Sequence, residues 1–260
     1  MKFLYIPLMY TFHTRLFGLK SKVAWIFTYI IPTFIAYMYI YGAETNSVLA
    51  DMIFFGVSVT CIYGAYELGY IYNDAELIKR EINPTLRLSN NETEFYEKHK
   101  LYIYTLRLMV LFGLLYVLYA VAINTFLSTA LSCLAIIVLY LIYNSARSMI
   151  NIPLYSCLVF FRYFGAVFLF CSISHIFLLW VIYPFVSTIE FAAKDKYKIS
   201  MLSGLAKNDR YRVLIYFILV ALLVTLYVAY GELVLLPLML ASYFLLYRTL
   251  IFWKATDLRN

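Results

Sequence analysis

The sequence predicts an all-α membrane protein, a single integral membrane domain over residues 1–260 that forms a polytopic transmembrane bundle of eight or nine helices. Composition is the first observation, because 64% of the residues are hydrophobic and 13% are charged, shares far from those of soluble domains. The second is that several separate apolar runs approach the roughly 20 residues needed to cross a bilayer. The third is that lysine and arginine collect in alternate loops.

Eight apolar runs supply the predicted transmembrane helices. They cover residues 23–41, 52–72, 101–122, 125–143, 152–172, 176–185, 211–229 and 233–253. The sixth run is too short to cross a bilayer, so we expect its helix to begin earlier or to continue past Pro184. No charged segment followed by a short apolar core and a cleavage site opens the chain, so we expect no removable signal peptide.

The charges between the runs predict the orientation of the bundle. Lysine and arginine fall in every second loop, whereas the alternate loops carry only Glu44, Asp51 and Glu232 as charged residues. Loops rich in lysine and arginine stay in the cytoplasm, so both termini and the long loops 73–100 and 187–210 are predicted on the cytoplasmic side of the inner (plasma) membrane. The basic residues form no continuous patch, so nucleic acid is not an expected partner. The apolar runs make the lipid bilayer an expected partner.

The motifs of several common function classes are missing from the sequence. The four cysteines all lie in apolar runs without metal-binding or redox spacing, which favours a packing role. The histidines show no spacing typical of a metal site. No Walker loop, GxSxG elbow or HExxH run is present, so the sequence gives no support for ATP-driven pumping, serine hydrolysis or zinc proteolysis.

The most informative segment is the polar run from Asn73 to Glu81, where the second predicted helix leaves the bilayer. In a continuous helix Asp74 and Glu81 are seven residues apart and share a face, with Asn73 beside them. Carboxylate and amide oxygens placed in this way can hold Mg²⁺ between the protein and a diphosphate. Arg80 is either a phosphate-binding residue or a surface ion-pair partner of Glu76, four residues before it.

This run resembles the first aspartate-rich motif, NDxxDxxxD, of the UbiA-type intramembrane prenyltransferase superfamily. Asn73 and Asp74 match the opening of the motif and Glu81 matches its last acid, whereas Leu77 replaces the middle aspartate. The residues that follow, Pro84, Thr85 and Arg87, are similar to those that trail the motif in the branch that transfers phosphoribosyl groups to polyprenyl phosphate. The resemblance implies a UbiA-like bundle, an active-site cavity that faces the cytoplasm, and Mg²⁺ as cofactor.

The loop after the sixth predicted helix is where this superfamily carries its second acidic motif. Here the loop holds Glu190 and Asp195, five residues apart where the family usually has four, and Lys194 takes the matching position. The resemblance implies Glu190 and Asp195 as further metal ligands. Lys194 and Lys198 can neutralise phosphate directly, although a basic loop is also what membrane topology alone predicts.

Two more arginines and a glutamate complete the candidate site. Arg147, after the fourth predicted helix, resembles a basic segment with which the family reaches phosphates. Arg162 lies about ten residues into the fifth predicted helix, where an unpaired charge is costly unless it faces a wet cavity. Glu67 lies seven residues before Asp74 on the same helix face. A Glu67–Arg162 pair is predicted, either as a substrate contact or as a structural lock. Arg107 is a weaker candidate for the site, because it lies nearer the membrane interface.

The predicted activity follows from the resemblance. The favoured reaction is transfer of phosphoribosyl from phosphoribosyl diphosphate to polyprenyl phosphate, with Asp74, Glu81 and Arg162 as the catalytic residues. The first alternative is prenylation of an aromatic or other small acceptor by a prenyl diphosphate. A transporter or lipid-binding membrane protein without enzymatic activity is the second alternative, in which the intramembrane charges belong to a translocation pathway.

Overall fold

The computed structural model describes residues 1–42, 47–80, 85–146, 148–194, 197, 199 and 209–257, and throughout these residues the regular structure is helical. The helices are α1 (Met9–Thr14), α2 (Gly18–Tyr41), α3 (Val48–Ala75), α4 (Asn90–Val121), α5 (Ile123–Ala146), α6 (Asn151–Phe164), α7 (Ile173–Ala192), α8 (Asp209–Tyr230) and α9 (Glu232–Asp257). Short 3₁₀ turns cover Lys2–Leu4, Leu77–Arg80 and Phe168–Phe170.

Within the described part of the chain, seven helices are long and apolar enough to span a membrane. They are α2, α3, α4, α5, α7, α8 and α9. These helices confirm the prediction of an all-helical, multi-pass membrane protein. The sixth predicted helix does continue past Pro184, because α7 runs to Ala192.

Helix α3 lies at the centre of the bundle. It packs against α4 and α5, α5 packs in turn against α6, and α8 and α9 form a hairpin whose second helix contacts α2 and α7. We call the end of the bundle that carries the amino-terminal segment, the Leu77–Arg80 turn and Lys194 the basic end. This is the end that the charge pattern predicts to face the cytoplasm.

Helix α4 begins at Asn90, well before the predicted residue 101, and its first turn explains the difference. The Ser89 hydroxyl accepts a hydrogen bond from the Glu92 amide (3.4 Å), and the Glu92 carboxylate accepts one from the Ser89 amide (2.8 Å). This capping box starts a polar helical segment at the basic end of the bundle. The apolar run then continues the same helix into the membrane.

The fifth predicted span is not one continuous helix. Helix α6 has 14 residues and stops at Phe164, which is about 21 Å of helix and shorter than the hydrocarbon layer. The Gly165 carbonyl has left the helical ladder and accepts hydrogen bonds from the hydroxyls of Ser128 and Ser132 on α5, both at 2.9 Å. A helix can break inside a membrane where neighbouring side chains satisfy the freed carbonyls in this way, and this break reduces the predicted eight spans to seven.

Tyrosine hydroxyls satisfy other backbone carbonyls at irregular places in the helices. Pro32 cannot donate to the carbonyl of Thr28 in the preceding turn, and Tyr163 donates to that carbonyl instead (2.9 Å). At the break after α6, Tyr41 donates to the Ala166 carbonyl (3.1 Å) and Tyr29 to the Arg162 carbonyl (3.0 Å). Many of the 27 tyrosines therefore bond helices together inside the bundle.

The predicted Glu67–Arg162 pair is wrong, because Glu67 pairs with Arg107. The two charges lie 2.8 Å apart and their side chains are 0% and 1% exposed. Arg107 also donates to the carbonyls of Phe3, Leu4 and Ile6 at 2.6–3.2 Å. The pair therefore supplies hydrogen bonds to the irregular amino-terminal segment, whose Leu4 side chain is fully buried, and satisfies carbonyls of that segment that no helix bonds.

Candidate anion-binding site

A cavity of about 280 Å³ lies at the basic end of the bundle, and we call it the cationic cavity. Four of its lining residues are positively charged, namely Arg15, Arg87, Arg162 and Lys194. The described residues that line it include no carboxylate. The side chains come from six places in the chain, so only the folded bundle brings these charges together.

Asp74 is buried beside the cavity and holds two of the arginines. Its Oδ2 atom lies 2.7 Å from the Arg15 guanidinium and accepts a hydrogen bond from the Tyr10 hydroxyl at 2.9 Å. Its Oδ1 atom lies 3.7 Å from Arg87 Nε. One Arg15 nitrogen, Nη1, is buried without a hydrogen-bond partner among the described residues. Asp74 thus fixes the arginines, but a single carboxylate does not neutralise them.

Arg162 forms the deep part of the cavity. It lies in the last turn of α6, where the helix dipole favours a cation. Its guanidinium carbon lies 5.1 Å from the ring centre of Tyr66 and 5.4 Å from that of Tyr163. Within the described chain no carboxylate pairs with it, and its Nε atom is buried without a hydrogen-bond partner. An intramembrane guanidinium held by aromatic faces alone retains the capacity to bind an anion.

Tyrosines make most of the remaining wall: Tyr66, Tyr70, Tyr140, Tyr143 and Tyr155. Gly69 allows this arrangement, because a Cβ atom at residue 69 would overlap the ring of Tyr140. The absence of a side chain on α3 therefore lets the Tyr140 ring from α5 lie between Tyr66 and Tyr70, 4.9 Å and 6.0 Å from their ring centres. Phenol hydroxyls in such a wall can donate to phosphate oxygens.

Lys194 stands at the mouth of the cavity, just after α7, and part of its side chain reaches solvent. Its ammonium lies 4.6 Å from the ring centre of Phe191. Burial of the rest of the side chain lowers the pKa of Lys194 below its ordinary value, and the positive charge of Arg87 lowers that pKa further. A bound anion would oppose both effects, so this lysine responds to occupation of the cavity.

The oxygens of the described magnesium-ligand candidates Asn73 and Asp74 lie beside the cavity. Both oxygens of Asp74 already face the cations and hydroxyl named above, and Asn73 directs its amide nitrogen to Asp74 Oδ1 (3.4 Å). Within the described ranges no group of three His, Cys, Asp or Glu residues could hold a metal ion. As arranged, the described members of this set do not fit Mg²⁺, because neither oxygen of Asp74 is free to bind an ion.

Glu190, the other described acid of the predicted metal set, does not line the cavity. Its Oε1 atom lies 2.6 Å from Arg212 on α8 and 3.9 Å from Arg248 on α9. These contacts join α7 to the α8–α9 hairpin. The structure therefore gives Glu190 a role in packing these helices and does not bring it to Asp74.

The remaining predicted site residues have different outcomes. Glu81, Arg147, Asp195 and Lys198 lie outside the described residues, and their roles stay predictions. Arg80 is exposed at the end of the Leu77–Arg80 turn and does not line the cavity. Glu76 is bonded to Lys79 (3.0 Å), so the expected pairing of Glu76 with Arg80 is replaced by one with Lys79. Glu67 also lies outside the lining of the cavity.

Arg15 and the tyrosine wall are not among the predicted site residues. Arg15 belongs to a basic loop of the kind that topology alone predicts, although it follows an apolar stretch too short to span a membrane, which is the kind of stretch that can form a re-entrant segment. The tyrosines carried no signal beyond their number, because their spacing does not separate cavity-lining from interfacial residues.

Comparison with known proteins adds no family to this geometry. The likeness to UbiA-type enzymes depends on Asn73, Asp74 and the order of the predicted segments. No protein-family model, curated protein sequence or solved structure matches this chain.

Proposed function

We propose that this protein is an intramembrane transferase that binds a diphosphate-bearing substrate in the cationic cavity and a polyprenyl lipid among its helices. The favoured reaction is transfer of phosphoribosyl from phosphoribosyl diphosphate to polyprenyl phosphate. The observation that carries the proposal is the set of four cations around one cavity, with Arg162 in its depth and no carboxylate among the described lining residues. Such a site is complementary to a multiply charged phosphate group.

The cavity residues suit the electrostatic demand of this reaction. When the bond between the sugar carbon and the diphosphate oxygen breaks, the departing diphosphate keeps the electron pair and gains negative charge. A lipid phosphate oxygen forms the new bond to the same carbon. Arg15, Arg87 and Lys194 at the mouth can neutralise the leaving group, and preorganised cations are worth more in a partly dry cavity than in water.

Arg162 has a separate task in this proposal. Tyr66 lies eight residues before Asp74 on α3, a rise of roughly 12 Å, so the Arg162 guanidinium that faces the Tyr66 ring is deeper in the bundle than Asp74. A cation at that depth can hold the phosphate of a lipid whose chain lies in the membrane. The two phosphate groups would then meet between the mouth and the depth of one cavity, which is the proximity that a transfer reaction needs.

Prenylation of an aromatic or other small acceptor by a prenyl diphosphate remains the alternative enzymatic proposal. Both reactions release diphosphate, so they are distinguished by which substrates support this release. The test uses purified protein in detergent and two substrate mixtures. One mixture contains labelled phosphoribosyl diphosphate and undecaprenyl phosphate, and the other contains geranyl diphosphate and 4-hydroxybenzoate. We expect diphosphate release and lipid labelling in the first mixture. Release in neither mixture would contradict the assignment as a transferase.

Magnesium dependence is proposed from the likeness to UbiA-type enzymes alone, and no chemical step is assigned to the ion. The same assay with Mg²⁺ and with EDTA measures this dependence. Activity that survives EDTA would indicate that the cations of the cavity suffice. Activity that is lost with EDTA would support metal ligands such as Glu81 and Asp195, which lie outside the described residues.

One observation favours a second candidate, a transporter or lipid-binding protein without enzymatic activity. Helix α6 ends at Phe164, two residues after Arg162, and interrupted helices near a charged residue are typical of transporter binding sites. Saturable binding of pyrophosphate without diphosphate release in either mixture would support this candidate. Reconstituted vesicles loaded with labelled pyrophosphate would then show whether the anion crosses the membrane.

A further inference from the structure

We propose that Glu67 is a positioning residue for the cationic cavity. Paired with Arg107, it binds the amino end of helix α1 and so holds Arg15, at the other end of that helix, beside Asp74. The inference depends on the anion site proposed above and adds to it the source of one of its cations. Glu67 itself lines no part of the cavity.

Two backbone hydrogen bonds connect Glu67 to α1. The amide of Leu8, the residue before the helix, donates to Oε2 at 3.0 Å, and the amide of Thr11 in the first turn donates to Oε1 at 2.6 Å. These amides have no partner within a helix that begins at Met9. A carboxylate at this place completes the hydrogen bonding of the helix start and is favoured by the helix dipole.

Leu8 shows that this arrangement is imposed by its surroundings. Its φ angle is +69°, a left-handed conformation that costs free energy for a residue with a Cβ atom. The chain turns sharply here, from the segment whose carbonyls bind Arg107 into α1. The buried Glu67–Arg107 pair holds both sides of this turn, so the direction of α1 is set by the pair.

Helix α1 connects the residues that Glu67 binds, Leu8 and Thr11, to Arg15 at the cavity. The Phe12 amide bonds to the Leu8 carbonyl (3.0 Å) and the Arg15 amide to the Thr11 carbonyl (2.9 Å), so the turns between Leu8 and Arg15 are closed. Glu67 and Asp74 are seven residues apart on α3, roughly 10 Å along its axis. Glu67 therefore holds the start of α1 on the same face of α3 on which Asp74 contacts Arg15, the residue that ends α1. Tyr10, in the first turn of α1, also donates to Asp74.

A pair of variants at Thr11 tests this connection without altering Glu67. Thr11→Pro removes the amide that donates to Glu67 at a position in the first helical turn, where proline disturbs no helical hydrogen bond. Thr11→Val is the matched control, because the Thr11 hydroxyl is buried without a partner among the described residues. We expect Thr11→Pro to weaken pyrophosphate binding to the full-length protein in detergent about tenfold, and Thr11→Val to leave it unchanged.

A double-mutant cycle separates positioning from general damage. Arg15→Gln should also weaken pyrophosphate binding about tenfold, and combining it with Thr11→Pro or Glu67→Gln should add less than about twofold more, because the cation that Glu67 positions is already gone. Full additivity of the two losses would overturn the inference. Unchanged affinity in Thr11→Pro would also overturn it. Failure of the wild-type protein to bind pyrophosphate would instead contradict the anion site itself.

Hydrogen exchange supplies a measurement that does not depend on the ligand. In Thr11→Pro, and in Glu67→Gln if that variant folds, peptides from residues 3–15 should exchange at least about tenfold faster, while peptides from α9 keep wild-type protection. Thr11→Val should match the wild type in both regions. Protection of residues 3–15 that persists in Thr11→Pro would show that α1 is held by other contacts, and the inference would then be wrong.

Discussion

Two buried arginines of this protein have opposite surroundings. Arg107 is 2% exposed and its guanidinium bonds to the Glu67 carboxylate and three backbone carbonyls. Arg162 lies against the rings of Tyr66 and Tyr163, has an unpartnered Nε atom, and lines a cavity whose described residues include no carboxylate. Both are intramembrane charges, which are a first indication of function in membrane proteins.

The comparison teaches that the partners of a buried charge, rather than its depth, separate structure from function. Arg107 has its hydrogen-bonding capacity filled by the protein and serves to hold the amino-terminal segment. Arg162 retains unused hydrogen-bonding capacity. The free-energy cost of burying its charge is offset only when an anion binds or water enters the cavity. The sequence predicted Arg162 and Glu67 as partners because both charges lie inside predicted membrane-spanning helices.

The largest expected effect is on stability, and it differs between the two arginines. Arg107→Gln leaves Glu67 buried without its cation, so the free energy of unfolding should fall by about 3–5 kcal/mol. Arg162→Gln leaves no described carboxylate behind and should change that free energy by less than about 1 kcal/mol. Unfolding of both variants in detergent measures the difference. Equal losses would break the comparison.

The next effect comes from Gly69, whose missing side chain makes room for Tyr140. Gly69→Ala forces the Tyr140 ring toward the cavity, so stability should fall by about 1–3 kcal/mol and pyrophosphate affinity about tenfold. Gly56 lies on the same helix with open space around it, and Gly56→Ala should be neutral or stabilising by up to about 1 kcal/mol. Thermal unfolding and pyrophosphate titration of both variants test this. A harmless Gly69→Ala would mean that the tyrosine wall is not tightly packed.

A smaller effect is expected from pH through Lys194. Because its pKa lies below the ordinary lysine value, its positive charge is lost at a lower pH than that of an ordinary lysine as the pH rises. Pyrophosphate affinity should therefore fall several-fold on going to alkaline pH. Lys194→Arg, which keeps its charge, should show a flatter profile. Identical profiles would place Lys194 outside the anion site.

The smallest effect concerns a residue that is remote from both arginines. Tyr41 donates to the Ala166 carbonyl at the break after α6, and Tyr41→Phe removes this bond while keeping the ring. The free energy of unfolding should fall by about 1 kcal/mol, and pyrophosphate affinity should stay unchanged. A loss of affinity in Tyr41→Phe would show that the break is coupled to the cavity.

Much of the fold was predictable from the sequence because the bilayer imposes simple rules. The apolar runs and alternate basic loops indicated seven of the spans. The break after α6 was not predictable, because residues 163–171 form an uninterrupted run of apolar residues, tyrosine and glycine and the break depends on Ser128 and Ser132 of another helix. The amino-terminal segment was missed because its stability comes from a buried pair in α3 and α4.

The candidate site was predicted in part. Arg87, Arg162, Lys194 and Asn73 do line one cavity, whereas their predicted roles toward phosphate stay predictions. The partners were not predictable, because they depend on how the helices pack. Asp74 faces Arg15 rather than open solvent, and Glu190 faces Arg212 and Arg248. The predicted acidic metal site and the observed cationic cavity thus have only Asn73 in common among the described residues, and they differ in net charge.

The central claim is that the cationic cavity binds a phosphate-bearing anion through Arg162. Titration of pyrophosphate into the purified protein by calorimetry tests it directly, with Arg162→Gln as the variant. We predict saturable binding to the wild-type protein and affinity at least about tenfold lower in Arg162→Gln. Equal affinity in the two folded proteins, or no binding to the wild type, would contradict the account.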